Sequence, residues 1–396
     1  GEVLADGAPI TPEFRSRIGY MPEERGLYPK MPVIEQLRAE LPEWQATLLA
    51  VDGDIVAAVA AQTDLAVERL DPEQGRLLQA VLLHTRTEGK VLVLSAHVLA
   101  IDPASWRIVL GELENGWHAL ESGAEPAAIR EHTSYRAWSR LVAERAQDLD
   151  TADFWAAQVA GPDPALGSRR VKPETDCAAD VVMSMAVIDP DLTARLLAAS
   201  QPVTDLLAAA TARTITRWRQ RRGQDTPAPL VALETHGRAD TVVSGDVDTG
   251  DTVGLFSAIY PVRINSEAPH QVSAEIAAVP GHGIDFGLLR YLRADTAERL
   301  SAYPEPQVLL NYLGRVHLGA SGAALRLDGA LLAGASPVPE PNYAVHHELT
   351  LLAGVIDHDG TAALGVQWRT VPDILSADDI AELQQLWESQ LREVVK

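Results

Sequence analysis

The stretch Ser95-Ala96-His97-Val98-Leu99-Ala100-Ile101-Asp102-Pro103-Ala104-Ser105-Trp106 follows an apolar run at residues 91–94 and opens a helical pattern. The chain breaks at Asp102-Pro103, and apolar residues then recur at helical spacing from Trp106 onward. This pattern predicts a strand, a loop and a helix. Because loops at the ends of buried strands often carry chemistry, we expect His97 and Asp102 near the mouth of this corner.

The composition of the 396-residue chain is that of a globular protein, with 46% hydrophobic residues and a net charge of −22. A charge of this sign repels nucleic-acid phosphates and anionic lipid headgroups, so we expect neither as a partner. There is no run of 18 apolar residues and no signal-peptide pattern, which favours a cytoplasmic protein without a membrane contact. The single cysteine, Cys177, has no activating context and is interpreted as a small filler.

A cluster of arginines lies near the end of one predicted helix. Its members are Arg213, Arg217, Arg219, Arg221 and Arg222. One interpretation is a solvated helix end, where cations interact favourably with the helix dipole. The other is a docking surface for an acidic partner or a phosphate-bearing arm.

The first half of the chain shows mixed strand and helix patterns. Predicted strands of one sheet lie at residues 46–51, 77–83 and 91–94, and helices are predicted to begin near Trp106, Thr133 and Thr151. A loop rich in proline and glycine follows at residues 162–173, and we interpret it as a hinge between two lobes.

The second half alternates strands and helices. Strands are predicted at residues 181–188, 230–233, 259–264, 308–313, 349–356 and 362–368. Helices are predicted near residues 189–197, from a Thr204 cap, at residues 272–279, and from Ser376, where Asp379 completes a capping box. Strands and helices mixed in two successive blocks predict an α/β fold with two layers in each block.

The second-half stretch Leu233-Glu234-Thr235-His236-Gly237-Arg238 is the strongest candidate for chemistry. An apolar strand delivers Glu234 to the mouth of a loop, where burial can bring the pKa of a carboxyl group toward the working pH. We therefore expect Glu234 to act as an acid or base. The alternative is a surface carboxylate that pairs with Arg238.

Five stretches resemble the condensation and epimerization domains of nonribosomal peptide synthetases. "HVLAIDPASW" is similar to the HHxxxDGxSW signature, and "ETHGR" is similar to the "EGHGR" of epimerization domains. "TVGLF", "VPGHGIDFGLLRY" and "QVLLNYLG" resemble three further epimerization blocks, in the family order. The resemblance runs from about residue 39 to Lys396 and implies two chloramphenicol-acetyltransferase-like lobes in a V, with the first lobe truncated at its N-terminus.

The domains implied by this resemblance are a truncated N-terminal lobe at 39–170 and a C-terminal lobe at 171–396. The family's second histidine, which projects into the reaction channel, falls on Val98, and the first falls on His97. By the resemblance, Glu234 lies opposite Val98, and Asn311 or Tyr312 serves as a donor near the substrate carbonyl. We interpret His97 as packed and hydrogen-bonded, since neighbouring residues of a strand point to opposite faces. Asp102 and Trp106 are expected to be structural, with Asp102 holding the corner through an arginine.

The function implied is the conversion of an L- to a D-residue on a peptidyl thioester. The substrate would be carried on the phosphopantetheine of a partner carrier protein, with adjacent synthetase domains as further partners and no cofactor of the chain's own. We expect a monomer and impaired activity, because valine neither accepts nor donates a proton. Two alternatives stay open: a non-catalytic module that docks a carrier protein or tailoring enzyme, and an amide-forming condensation domain.

Residues 1–38 resemble a different family, the ATP-binding-cassette transporter ATPases. The similarity covers the segment after the phosphate-binding loop, with Glu23 where many members carry glutamine. No G-x-x-x-x-G-K-[ST] loop and no LSGGQ-like signature occur in the chain. We therefore interpret residues 1–38 as a fragment that does not hydrolyse ATP.

Two histidine-containing stretches are weaker candidates. His346-His347-Glu348 resembles a metal or acyl-transfer motif, but Leu351 stands where an aspartate is required and no H-E-x-x-H follows. Asp357-His358-Asp359-Gly360 joins two predicted strands and indicates a hairpin turn. We expect no metal site at either position.

Overall fold

The computed structural model describes residues 4–5, 8–9, 47–51, 53–85, 89–127, 131–243, 245–317, 325, 328, 331, 341–358 and 361–396. Two short antiparallel strands, β1 (Leu4–Ala5) and β2 (Ala8–Pro9), are described within the ATPase-like segment. The rest of residues 1–38 lies outside the described residues, and its resemblance stays a prediction.

The chain forms two compact units. The first contains the described residues up to Ala137, together with Asp248–Leu255. The second contains the described residues of Trp138–Val247, Phe256–Ser321 and Val338–Lys396. The division falls at Ala137, and the predicted lobe boundary near residue 170 stays a prediction.

The first unit is built on a three-stranded sheet. Its strands, in spatial order, are β3 (Thr47–Val51), β4 (Leu78–Thr85) and β5 (Lys90–Ala96). The β3–β4 pair is parallel and the β4–β5 pair is antiparallel. All three strands were predicted from the sequence, and the structure confirms them.

Helix α1 (Ile55–Arg69) crosses between β3 and β4 and was missed by the sequence analysis. The Asp54 side chain caps its first turn by accepting from the backbone N–H groups of Val56 and Ala57. Ile55 and Val59 are buried on one helix face, and they form a small core with sheet residues that include Leu83. The crossover helix is what allows β3 and β4 to pair in parallel.

Two further helices begin in the first half of the chain, α2 (Pro103–Glu121) and α3 (Tyr135–Asp148). Asp102 is the N-cap of α2, and its carboxylate accepts from the Ser105 N–H at 2.7 Å. The Ser105 hydroxyl is buried, donates to the Gly254 carbonyl at 2.9 Å and accepts from the Gly254 N–H at 3.0 Å. The Thr252 hydroxyl donates to the Thr133 carbonyl. These bonds tie residues 248–255 into the first unit.

The second unit is organised around a six-stranded sheet. In chain order its strands are β6 (Val182–Val187), β7 (Leu230–Thr235), β8 (Ala258–Arg263), β9 (Val308–His317), β10 (Leu349–His358) and β11 (Thr361–Thr370). Their spatial order is β6-β11-β10-β9-β7-β8. β9 pairs in parallel with both β7 and β10, and the other pairs are antiparallel. All six strands were predicted, and the hairpin between His358 and Thr361 agrees with the predicted turn, whose residues 359–360 lie outside the described residues.

Helices cover one face of this sheet. They are α4 (Ala152–Val159), α5 (Pro190–Ala198), α6 (Val203–Arg221), α7 (Pro269–Ala277), α8 (Ile284–Tyr291), α9 (Ala294–Ser301) and α10 (Ala377–Val394). In the core between sheet and helices, the Trp218 Nε1–H donates to the Leu166 carbonyl and the Trp387 Nε1–H donates to the Thr211 hydroxyl. None of the described helices is long and apolar enough to cross a membrane.

Several sequence predictions in this unit are confirmed or corrected. The Ser376–Asp379 capping box of α10 is confirmed. Helix α6 begins at Val203 after Pro202 and has no side-chain cap, so the predicted Thr204 cap is wrong. The loop at residues 162–173 lies inside the second unit, where the Leu166 side chain is buried and Gly167 contacts Ile374. That loop is therefore held in the core and is not a hinge between the units.

The arginine cluster is largely paired within the second unit. Arg219 is buried and donates to Asp163 at 2.7 Å. Arg221 and Arg222 pair with acidic residues at the start of α10 at 2.9 and 2.8 Å. The Arg222 guanidinium also stacks 3.0 Å from the centre of the Trp218 ring. These pairings favour a structural interpretation of the cluster.

A buried ion pair fixes the start of α8. Arg145 donates through Nε and Nη2 to both carboxylate oxygens of Asp285, each at 2.9 Å, and the Asp285 side chain is 0% exposed. Arg145→Ala leaves this carboxylate buried without its partner and is expected to lower the unfolding free energy by about 3 kcal/mol. Chemical unfolding of both proteins measures the difference.

The matched control is Arg299→Ala, because Arg299 pairs with an Asp153 carboxylate that is 90% exposed. Removal of this surface pair is expected to cost less than about 1 kcal/mol. Equal losses in the two variants would contradict a special contribution from the buried pair.

Candidate functional site

Glu234 lies at the end of β7 on the sheet face that the helices do not cover. The opposite face carries a buried row at the neighbouring register position: Tyr260, Leu233, Leu310, Leu351 and Trp368. Because side chains alternate along a strand, Glu234 points away from this core and is half-buried. The sequence prediction of a carboxylate at a strand end is confirmed as a placement, and its role stays a proposal.

Asn311 is the register partner of Glu234 on the adjacent strand β9. The Asn311 Nδ2–H group donates a short hydrogen bond to Glu234 Oε2. A hydrogen bond to the carboxylate favours its ionised form and fixes its orientation. The structure therefore brings these two predicted site residues together.

Tyr312 does not join them. It follows Asn311 on the same strand, so its side chain turns to the other face of the sheet, where it packs against the helix-covered core. Burial raises the pKa of its hydroxyl group above the ordinary value. The predicted alternative of Tyr312 as a donor beside Glu234 is not supported by this placement.

The turn after Glu234 is held by a close backbone contact. Gly237 adopts φ 65°, and a Cβ at this position would lie 1.7 Å from the Phe256 carbonyl oxygen. The Arg238 guanidinium lies 4.2 Å from the centre of the Phe256 ring. The Arg238 N–H donates to His236 Nδ1 at 3.1 Å. The His-Gly-Arg sequence is thus required by the geometry of this turn.

A cavity of about 390 Å³ opens at this turn. Residues 235–241 and His282 line it. His282 is half of an unusual feature, because it has φ 51° between two glycines that also have positive φ. A Cβ on Gly281 would meet the Asp285 carboxylate at 2.2 Å, and a Cβ on Gly283 would meet the Tyr260 ring at 2.2 Å. The sequence analysis missed His282, for which the flanking glycines were the available signal.

The first motif lies in the other unit. Strand β5 ends at Ala96, so His97 and Val98 belong to the turn that follows it. The argument from alternation along a strand therefore does not apply to His97. His97 Nδ1 accepts from the Leu99 N–H at 3.2 Å, and the Val98 side chain is 62% exposed.

The structural residues of this motif occupy the helix start. Asp102 is buried and caps α2, which supports a structural role, while its predicted arginine partner stays a prediction. Trp106 lies in the first turn of α2 and is half-buried. The predicted opposition of Glu234 and Val98 also stays a prediction.

The His346-His347-Glu348 stretch is part of a structural network. Glu348 is fully buried and accepts from Arg170 Nε and from the Val171 N–H. Burial raises the pKa of Glu348, and Arg170 opposes that shift. His347 Nδ1 bonds to the Pro306 carbonyl at 2.7 Å. Among the described residues, no group of three or more His, Cys, Asp or Glu side chains is arranged to hold a metal ion.

Comparison with known proteins identifies the class to which this fold and motif order belong. The condensation-domain family model matches residues 47–314. The chain therefore belongs to the condensation-domain family. This confirms the family predicted from the sequence and its α/β fold class.

The similar curated proteins are large peptide synthetases. One linear gramicidin synthase protein of Brevibacillus parabrevis is 28% identical over 348 residues, which make up 84% of this chain and 6% of that protein. Chondramide synthase of Chondromyces crocatus is 33% identical over 272 residues, 63% of this chain and 6% of that protein. The chain thus spans a small part of the length of these relatives.

Two solved structures share the fold. The epimerization domain from the third module of tyrocidine synthetase B superimposes with a TM-score of 0.72 at 20% identity, covering 88% of this chain and 79% of that one. The X-domain in its complex with OxyB from teicoplanin biosynthesis gives a TM-score of 0.58 at 18% identity, covering 89% and 77%. At these identities the likeness concerns the fold.

Gly237 and Gly223 provide a matched test of the turn beside Glu234. Both have φ 65°, but a Cβ on Gly223 meets nothing within 4 Å. Gly223→Ala is expected to cost about 1–2 kcal/mol of unfolding free energy for the left-handed backbone alone. Gly237→Ala adds the collision with the Phe256 carbonyl and is expected to cost about 2 kcal/mol more.

Chemical unfolding of the two variants measures this difference. Equal destabilisation would show that the Phe256 carbonyl can move aside and that the turn after Glu234 is not rigid.

Proposed function

We propose that the chain is an epimerization-type domain that acts on a peptidyl thioester attached to the phosphopantetheine of a carrier protein. The observation that carries the proposal is the Glu234 carboxylate, oriented by Asn311 at the end of β7 and followed by the turn that lines the cavity. The order of the epimerization-like sequence blocks supports the same assignment. The fold shared with an epimerization domain is compatible with it.

The reaction inverts the carbon next to the thioester carbonyl. Glu234 takes the proton from this carbon, the C–H electron pair moves into the enolate, and the proton becomes bound to a carboxylate oxygen. Donors near the carbonyl then stabilise the negative charge on the enolate oxygen. Return of a proton to the same face restores the starting configuration, and return to the opposite face inverts it.

The second proton donor is where this chain departs from the family pattern. Val98 stands in place of the second histidine and has no group that can transfer a proton. His97 does not replace it in this proposal, because its Nδ1 accepts the Leu99 N–H within the turn. We therefore propose that Glu234 exchanges the α-proton on one face and that inversion is much slower than exchange.

The partners follow from this chemistry. A carrier protein would deliver the thioester, and neighbouring synthetase domains would supply and consume the peptide. The residues proposed for proton transfer need no cofactor of their own. The small share of each synthetase relative that the chain covers is compatible with one domain of a multidomain assembly.

A second candidate function is a non-catalytic docking module. The observation that favours it is the exposed aliphatic side chain of Val98 where the family has a histidine. The X-domain that shares this fold was solved in complex with OxyB, which provides a precedent for docking. Such a module would bind its carrier protein or tailoring enzyme without exchanging the α-proton.

Deuterium exchange at the α-carbon of a carrier-bound peptide separates the two candidates. The native chain is expected to incorporate deuterium above background, and Glu234→Gln is expected to lower the rate at least about 100-fold, because glutamine cannot accept the proton. Mass spectrometry of the released peptide measures incorporation. The control Glu382→Gln changes a carboxylate that pairs with Arg221 and should leave the rate unchanged. Binding without exchange by the native chain would favour the docking module.

Restoring the second base tests the position of Val98. Val98→His is expected to raise the rate of inversion by about 100-fold, since a proton can then be returned to the opposite face. Chiral analysis of the released peptide measures inversion, and Val98→Gln is the control for a polar side chain without proton transfer. No gain with histidine, or the same gain with glutamine, would remove Val98 from the proposed site.

A further inference from the structure

Two glycines face each other across strands β10 and β11. Gly354 and Gly365 are register partners, and neither has a positive φ. A Cβ on Gly354 would have its nearest contacts at 3.8 and 3.9 Å, and a Cβ on Gly365 at 3.9 to 4.0 Å. These are ordinary van der Waals distances. Neither the backbone nor the packing of this chain therefore requires glycine at these positions.

Glycine inside a strand weakens it and often marks a place where a ligand or another backbone approaches closely. A pair of such glycines leaves a gap in the layer of side chains on one face of the sheet. We call this gap the glycine trough, with Gly354 and Gly365 as its floor. Its walls are the side chains of Leu352, Ile356, Met185 and Val187.

The trough lies on the same face as Glu234. Register partners share a face, and one row crosses the whole sheet through Ile259, Glu234, Asn311, Leu352, Gln367 and Met185. Gly354 and Gly365 lie two residues beyond Leu352 and before Gln367 on their strands, next to this row. An extended chain that presents its reacting carbon to Glu234 can therefore continue along this face to the trough.

The walls of the trough are apolar and open. Met185 is 60% exposed and Val187 is 69% exposed, although β6 is regular and paired to β11. The Met185 sulfur and the Ile356 Cδ1 atom lie 3.9 and 4.0 Å from the position of a Cβ on Gly365. No formally charged side chain belongs to the floor or walls. Aliphatic groups together with a flexible thioether suit an aliphatic side chain of variable shape.

The distance from Glu234 indicates which part of a substrate would reach the trough. Gly354 is two strands from Glu234 and one two-residue step along its strand, or about 12 Å, and Gly365 is one strand further, or about 16 Å. An extended peptide advances about 3.4 Å per residue. The reach therefore corresponds to about three to five residues before the thioester-linked residue.

We propose that the glycine trough binds an aliphatic side chain about three to five residues upstream of the residue on which Glu234 acts. The substrate is then a peptidyl thioester of at least four residues and not a single aminoacyl thioester. This inference rests on the proposed function, because it takes Glu234 as the point where the thioester-linked residue lies.

Binding of synthetic peptidyl-pantetheine amides to the full chain tests the trough without requiring catalysis. In a series of hexapeptides of alanine, a single leucine is moved through the five upstream positions. Calorimetric titration is expected to show one preferred position, three to five residues upstream, with about tenfold tighter binding than the all-alanine peptide. Equal affinity at every position would overturn the proposal.

Substitution of the floor adds a second arm. Gly365→Val fills the trough and is expected to abolish the preference for leucine while leaving the affinity for the all-alanine peptide unchanged. Gly365→Ala should reduce the preference in part. The matched control Gly111→Ala adds a methyl group to α2 in open space and should leave the preference intact. Unfolding midpoints of the variants verify that each is folded, and a preference that survives Gly365→Val in the folded protein overturns the trough.

Deuterium exchange keeps the two proposals distinguishable. A leucine preference that is lost in Gly365→Val, without any exchange by the native chain, would support the trough and reject the catalytic role of Glu234. Exchange that depends on Glu234 but shows no leucine preference would support catalysis and reject the trough.

Discussion

The strict alternation of side chains in the six-stranded sheet is the constraint on which the second unit depends. Leucine and tryptophan side chains of one row fill the core under the helices, and the adjacent row carries Glu234 and Asn311 on the other face. A slip of one residue in β7 would place Leu233 outside and the Glu234 carboxylate in the core. Burial of an unpaired carboxylate costs several kcal/mol, so core packing also fixes which face can hold the site.

Close backbone approaches then set the shape of the site. Gly237 lies against the Phe256 carbonyl, and Gly281 and Gly283 lie against Asp285 and Tyr260. Each approach excludes a side chain, so the two segments that line the cavity are held by the chain itself and not by long side chains. The buried Arg145–Asp285 pair adds a charged clamp under the same turn. A rigid frame of this kind is what a carboxylate needs to meet its substrate in one geometry.

The sequence predicted this fold best where apolar runs were short and bounded by turn residues, as in all strands of the second unit. Helix α1 was missed because residues 55–69 mix alanine and polar residues with few large apolar side chains. Helix α8 was hidden behind three residues with positive φ. Asn311 and Tyr312 were treated as equivalent, although alternation along β9 separates them. For His97 and Val98 the reverse held, since alternation was applied beyond the last residue of β5.

The bonds of Ser105 to Gly254 have a consequence for the order in which the protein folds. The two residues are 149 positions apart, and residues 248–255 lie in the chain between β7 and β8. During synthesis the amino-terminal unit therefore emerges well before the segment that completes the start of its helix α2. Contacts of such long sequence separation carry a loop-closure cost and form slowly. The amino-terminal unit is thus expected to reach its native state only after the central strands of its neighbour have left the ribosome.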